Sequence, residues 1–228
     1  MQKHEFYDNL MPKLYARDLK FVNWRIEEIE KLIKQFVPKE SSVFEIGCGY
    51  GAVTKHLSKI AKKVTAIDLS PAAIELAKKY VNRKNCTFKC QNIFEIPIPQ
   101  KFDVVVACDV IEHIEKENRP IFLFFVAQLL NENGIAIFTW PNPKAQAESN
   151  QIIEVPVYVA DILALTDLNL FHFSYVSVDG ENQYIHCVLK KRVPFIKKKR
   201  SIGFKLKNLL RKFILRVIPQ NLQLEDNS

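Results

Sequence analysis

At 228 residues, 48% of them apolar, the chain is long enough for one substantial α/β core and too short for a second full domain beside it. No early segment joins a basic start to an apolar run, and no stretch approaches the roughly 20 apolar residues that a membrane-spanning helix needs, so the chain is expected in the cytoplasm. The net charge of +8 suggests nucleic acid until it is divided along the chain: residues 190–216 carry 12 Lys/Arg and no Asp/Glu, so the basicity belongs to a tail and not to the domain.

Residues 17–36 place Leu19, Val22, Ile26, Ile29, Ile33 and Phe36 at spacings of three and four with charged residues between them, which predicts one amphipathic helix ending before Pro38. From Ser42 the pattern changes to short apolar runs, 43–46, 64–67, 104–108 and 135–139, alternating with helix-like stretches. That alternation implies βαβ units and a parallel sheet with helices on both faces. Ser70 followed by Pro71 supplies an N-cap and a pre-set first turn for a helix through Tyr80. Beyond Pro143 a helix near 157–167 leads to two runs, 171–178 and 183–189, joined through Asp179-Gly180 as an antiparallel pair that closes the sheet. The five cysteines are odd in number and scattered: Cys48, Cys86, Cys90, Cys108 and Cys187 read as reduced core thiols, and no second Cys/His pair at zinc-ligand spacing completes Cys86 and Cys90.

The segment Val43-Phe44-Glu45-Ile46-Gly47-Cys48-Gly49-Tyr50-Gly51 runs from a strand through a glycine-rich turn into a helix, and glycine there lets backbone approach a ligand closely. Asp68 ends the next strand, where a ribose hydroxyl pair needs a bidentate acceptor. Gly47-x-Gly49-x-x-Ala52 also satisfies the loose dinucleotide fingerprint, but Glu45 at the mouth of the turn would repel pyrophosphate and suits a ligand bearing an ammonium and a sulfonium.

Glu45 through Gly51, Asp68, Phe102-Asp103-Val104-Val105, Val110-Ile111-Glu112-His113 and Gly134 through Thr139 resemble, in order and separation, the successive motifs of class I S-adenosylmethionine-dependent methyltransferases, among them the ubiquinone-pathway O-methyltransferases. The resemblance covers roughly residues 40–190 and implies a Rossmann-like, doubly wound, mostly parallel seven-stranded sheet with an antiparallel C-terminal hairpin. It implies S-adenosyl-L-methionine as cofactor, its ammonium near Glu45 and the turn of Gly47, Cys48, Gly49 and Gly51, its ribose diol on Asp68 and its adenine beside Leu69. Many relatives have Asp where Asn92 stands, and Asn retains an oxygen for the adenine amino group. Ile93 and Cys108 complete the cofactor set. Relatives often fold a lid from the segment before the sheet, so residues 1–40, with Phe6, Tyr7, Tyr15 and Trp24, are read as a helical cap on a catalytic domain at 41–190.

Methyl transfer is an in-line displacement, so the protein aligns the nucleophile, excludes water and, for a hydroxyl, removes a proton. The end of the fourth strand, Cys108 to His113, faces that event, and His113 with Asp109 is the candidate catalytic pair because imidazole titrates near neutrality. An alternative has Glu112 and His113 ordering the loop only. Asp109, Glu112 and His113 also resemble the divalent-ion cluster of some relatives, but spacing identifies no fourth ligand and no metal residue is assigned. The Asn/Asp-Pro-Pro-aromatic block of nucleic-acid amino methyltransferases is absent, and Trp140-Pro141-Asn142-Pro143 is read as substrate wall.

In the tail at 191–228, Leu206, Leu209, Leu210, Phe213, Ile214 and Val217 share one face of a helix-like run, with Lys and Arg largely off it. Residues 194–218 thus read as a basic amphipathic helix on an anionic membrane, peripheral at its inner face. The expected acceptor is a small molecule, a saccharide or a lipid-linked intermediate methylated on oxygen. RNA methylation with the tail gripping phosphate, and a cofactor-binding module without turnover, are the alternatives.

Overall fold

A computed structural model describes residues 3–96, 100–148, 155–177 and 183–191. The expected basic helix at 194–218 and the Asp179-Gly180 turn lie outside the described residues. The described elements run α1 (Lys3–Asp18), α2 (Trp24–Phe36), β1 (Ser42–Ile46), α3 (Ala52–Leu57), β2 (Lys63–Asp68), α4 (Pro71–Tyr80), β3 (Cys86–Cys90), β4 (Phe102–Cys108), α5 (Arg119–Leu129), β5 (Leu130–Pro141), α6 (Pro143–Glu148), α7 (Val159–Ala164), β6 (Asn169–Ser177) and β7 (Gln183–Lys190).

The single helix expected over 17–36 is two helices, with a break where Asn23 turns the chain. Its side-chain oxygen accepts the Arg25 amide at 3.1 Å and its amide donates to Asp18 at 2.9 Å, so the cap satisfies the new helix start and fixes the turn. Leu19 and Val22, counted by spacing as core, are exposed as a result. Ser70 caps α4 as its sequence predicts, accepting the Ala73 amide at 3.0 Å.

The seven strands lie in the order β3-β2-β1-β4-β5-β7-β6. β1 pairs in parallel with β2 and β4, β3 with β2 and β5 with β4, while β7 runs antiparallel to β5 and β6 antiparallel to β7. Alternate residues feed opposite layers, as strand periodicity requires. Phe44, Val105, Ala107, Ala136 and Phe138 pack with Phe122, Leu123 and Val126 of α5, while Val43, Val104, Val106 and Ile137 pack with Ile29, Leu32 and Ile33 of α2 and Leu57 of α3. Chain order reverses between β1 and β4, and a crevice opens at their carboxyl ends.

Two buried ionisable side chains serve the frame. Arg119, 1% exposed, donates to Ile114 O at 3.1 Å, Pro156 O at 3.1 Å and Val155 O at 2.8 Å, joining the loop after β4 to the segment before α7. Glu45, 2% exposed on β1, accepts the Thr54 hydroxyl of α3 at 2.6 Å, and burial pushes its carboxyl up to about 8.

Arg119→Ala orphans three carbonyls and is expected to cost about 3 kcal/mol or more of unfolding free energy, with Arg119→Lys recovering only part; denaturant titration measures both. Because Glu45 keeps its proton when folded to about pH 8, against 4.5 as the ordinary value, its contribution is full below about 4.5 and is lost as pH rises through about 8. His186, which burial pushes down to about 4 from 6.5, is neutral in both states above that range. Between pH 6.5 and 8 the chain should therefore lose about 1.5 kcal/mol, whereas Glu45→Gln should show a flat profile there.

Candidate functional site

The loops that follow β1, β2 and β4 converge on one cavity of about 330 Å³. At one end, the Gly47 and Cys48 amides both donate to Ile67 O, at 2.8 and 3.0 Å, folding the glycine turn back over β2. Gly47, at φ 72°, has no room for a side chain: a Cβ would lie 2.5 Å from Val110 Cγ2. Gly49, at φ 52°, is different, since a Cβ there would meet only Met11 Sδ at 3.4 Å and would fill cavity.

The Gly49 amide donates to Asp68 Oδ2 at 2.8 Å and the Ser70 amide to Oδ1 at 2.9 Å. Burial raises the Asp68 carboxyl against these amides. The Leu69 amide is aimed at the same carboxylate, whose roughly four lone-pair sites still leave room for a hydroxyl of a ligand in the cavity. Leu69, 44% exposed, Asn92 and buried Ile93 continue the same wall. Asn92 Oδ1 already accepts the Phe94 amide at 3.1 Å and its Nδ2 donates to Glu95 at 3.2 Å, so an adenine amino group would have to share that oxygen.

Four residues assigned to the cofactor by resemblance stand behind the lining. Glu45 faces Thr54, Cys48 packs with Ala66 and Ile74, and Cys108 packs in the layer beneath α2 and α3. Gly51, at φ 90°, opens α3 against α4, where a Cβ would lie 2.7 Å from Val81 Cγ2. Strand alternation explains Glu45 and Cys108: their neighbours Ile46 and Asp109 take the cavity face.

At the other end stand Asp109 and His113. Asp109 sits at φ 55°, which an Asp tolerates better than most residues, and accepts the Tyr184 hydroxyl, itself 2.9 Å from Thr139 Oγ1. Arg25 of α2 places Nη1 3.7 Å from Asp109 Oδ2. His113 lies in a 3₁₀ turn, Ile111–His113, with its ring edge-on to Tyr7 at 5.8 Å between centroids. Glu112, 1% exposed, is not among the residues lining the cavity, and its carbonyl accepts the Val155 amide at 2.8 Å. Among the described residues no group of three His, Cys, Asp or Glu is placed to hold a metal ion.

The roof is α1, which contributes Tyr7 and Met11. Its Asp8 accepts the Ser70 hydroxyl and, at 3.2 Å, the Ala72 amide, so α1 also caps α4. Trp140, read from sequence as substrate wall, is fully buried and donates to Val157 O at 3.0 Å, which makes it core. Tyr7 and Val110 are legible in the sequence, whereas Met11, Phe94 and Asn118 on the lining, and Tyr184 behind Asp109, are not singled out by it. Phe94 was within reach as a neighbour of Asn92; Tyr184, 75 residues from Asp109, carries no local signal.

Residues 44–138 match the family described as a methyltransferase domain. The mitochondrial ubiquinone biosynthesis O-methyltransferase of Schizosaccharomyces pombe is 32% identical over 97 residues, 40% of this chain and 35% of that protein. The malonyl-[acyl-carrier protein] O-methyltransferase of Bacillus cereus is 31% identical over 99 residues, 42% of this chain and 36% of that one. The chain thus spans little more than a third of the length of these curated relatives. In fold it is similar to the N-methyltransferase NodS from Bradyrhizobium japonicum WM9 in complex with S-adenosyl-L-homocysteine, with a TM-score of 0.64 and 19% identity over 73% of this chain and 85% of that one. With that fold, that matched segment and a cavity at the strand-order reversal, the chain is similar to the class I S-adenosylmethionine-dependent methyltransferases.

Proposed function

We propose that the chain transfers a methyl group from S-adenosylmethionine to an oxygen of a small-molecule, saccharide or lipid-linked acceptor. The observation that carries this reading is the cavity itself, with Asp68, Leu69 and Asn92 at one end and Asp109 and His113 at the other. When bound, the cofactor supplies an electrophilic methyl on a sulfonium. The residues fit it: Asp68 retains lone pairs for a ribose diol, Gly49 leaves the space that backbone approach requires, and Leu69 offers an apolar wall to adenine.

His113 is then the base that takes a proton from an acceptor hydroxyl, while Tyr7 and Met11 keep water from the methyl path. Asp109, oriented by Tyr184, sits beside that event and orders the loop. Relatives named for O-methylation support oxygen as the acceptor, and the NodS likeness keeps nitrogen as a second reading. A lipid-linked acceptor accords with the basic run at 190–216, whose charge favours anionic lipid at a membrane's inner face. A radiolabelled-methyl assay against lipid, glycan, small-molecule and RNA fractions tests the reading: label in RNA alone favours the RNA alternative, and label nowhere favours a module without turnover.

Asp68→Ala should weaken S-adenosylmethionine binding by about 1.5–3 kcal/mol, read by calorimetry. Unchanged affinity would remove Asp68 from the site. His113→Ala should lower the rate about 10²-fold with cofactor affinity nearly intact, as expected when a base leaves a site that still aligns its reactants. Full activity would return His113 to loop ordering.

A further inference from the structure

Between α1 and α2 the chain presents three large apolar side chains to solvent within four residues: Leu19 is 60% exposed, Phe21 69% and Val22 78%. Single exposed apolar residues are ordinary on a soluble surface; three together at one turn are not. The same residues border a cavity of about 330 Å³ with Ile26, Tyr50 and Tyr80, while most of their own apolar surface faces solvent. We propose that residues 19–22 form a wedge that enters the headgroup and acyl boundary of an anionic lipid bilayer.

Three features favour lipid over a protein partner. The first is backbone satisfaction: the amides of Leu19, Lys20 and Phe21 bond back to Tyr15 O and Arg17 O at 2.9–3.0 Å, so the tip enters an apolar medium with little cost from open donors. The second is rigidity. Asp18 is held by the Tyr50 hydroxyl at 2.6 Å and by Asn23 at 2.9 Å, so the turn is pre-shaped and little conformational freedom is lost on contact.

The third is charge. Lys13 on α1 and Lys20 in the turn are exposed, and Arg17 between them pairs with Asp18, which Asn23 and Tyr50 also engage. Glu27 is the exposed acid that remains near the turn. An apolar tip with Lys13 and Lys20 on its approach suits an anionic headgroup layer over acyl chains. The same α1 carries Tyr7 and Met11 to the cavity, with Tyr7 about 18 Å along the helix from Leu19. None of this depends on the catalytic reading.

The test uses the full chain with Phe21→Trp and vesicles of phosphatidylcholine with or without phosphatidylglycerol. With phosphatidylglycerol present, the emission gained by the substitution should move to shorter wavelength and be quenched by brominated acyl chains, beyond any change shown by the unsubstituted chain with Trp24 and Trp140 alone. A full chain bearing Leu19→Ser, Phe21→Ser and Val22→Ser should retain its circular dichroism and lose at least about tenfold in vesicle partitioning, because apolar burial at the tip is removed. Vesicle binding with unshifted, unquenched emission would assign attachment to another segment and overturn the proposal. So would absence of binding, or a concentration-dependent self-association that the three serines abolish while vesicles stay unbound.

Discussion

The hydrogen bond from the Gly49 amide to Asp68 Oδ2, 2.8 Å long, ties the glycine turn after β1 to the end of β2. Much else leans on it. Gly47 and Cys48 reach the same β2 end through Ile67 O, and Ser70 caps α4 while its own amide holds the other Asp68 oxygen. One carboxylate therefore sets the turn, the strand end and the start of a helix, and still faces the cavity with unused lone pairs. Its burial resists ionisation, and the Gly49, Leu69 and Ser70 amides aimed at it oppose that resistance.

Opposite this fixed end, Asp109 and His113 sit on a loop held from outside. Tyr184 orients Asp109, Arg119 fastens the Ile114 carbonyl to the segment at 155–156, and α1 lays Tyr7 against the imidazole. The two ends are thus built by different means, one from backbone geometry local to β1 and β2, the other from side chains delivered by distant elements.

That difference explains what could be read in the sequence. Strands β1, β2, β4 and β5 announce themselves because apolar runs bounded by turn signals admit few alternatives, and Ser70-Pro71 names its helix start outright. β3, Cys86–Cys90, is half-exposed and carries no such run, so only the motif order implied it. The break at residues 19–23 escaped notice because the apolar spacing continues through it; the Asn23 cap outweighs periodicity there, as caps do when exposure is tolerated. Glu45, Cys48, Gly51 and Cys108 were placed at the ligand by motif position, whereas alternation along a strand and close helix packing turn them from the lining. Trp140 was misread because an aromatic beside two prolines looks exposed until the sheet closes over it.

The Tyr184–Asp109 contact spans 75 residues, while the Gly49–Asp68 contact spans 19. Loop closure grows costlier with separation, and synthesis delivers the chain from its amino end. The Asp68 end of the cavity accordingly has its parts once β3 and the Asn92–Ile93 segment have emerged, whereas the Asp109 end waits for β7 to insert against β5. Assembly in that order leaves an interval in which a nascent chain owns a nearly finished ligand cradle and an unfinished far wall. A ligand that binds the finished cavity stabilises both ends at once, the local cradle and the wall that the distant strand completes.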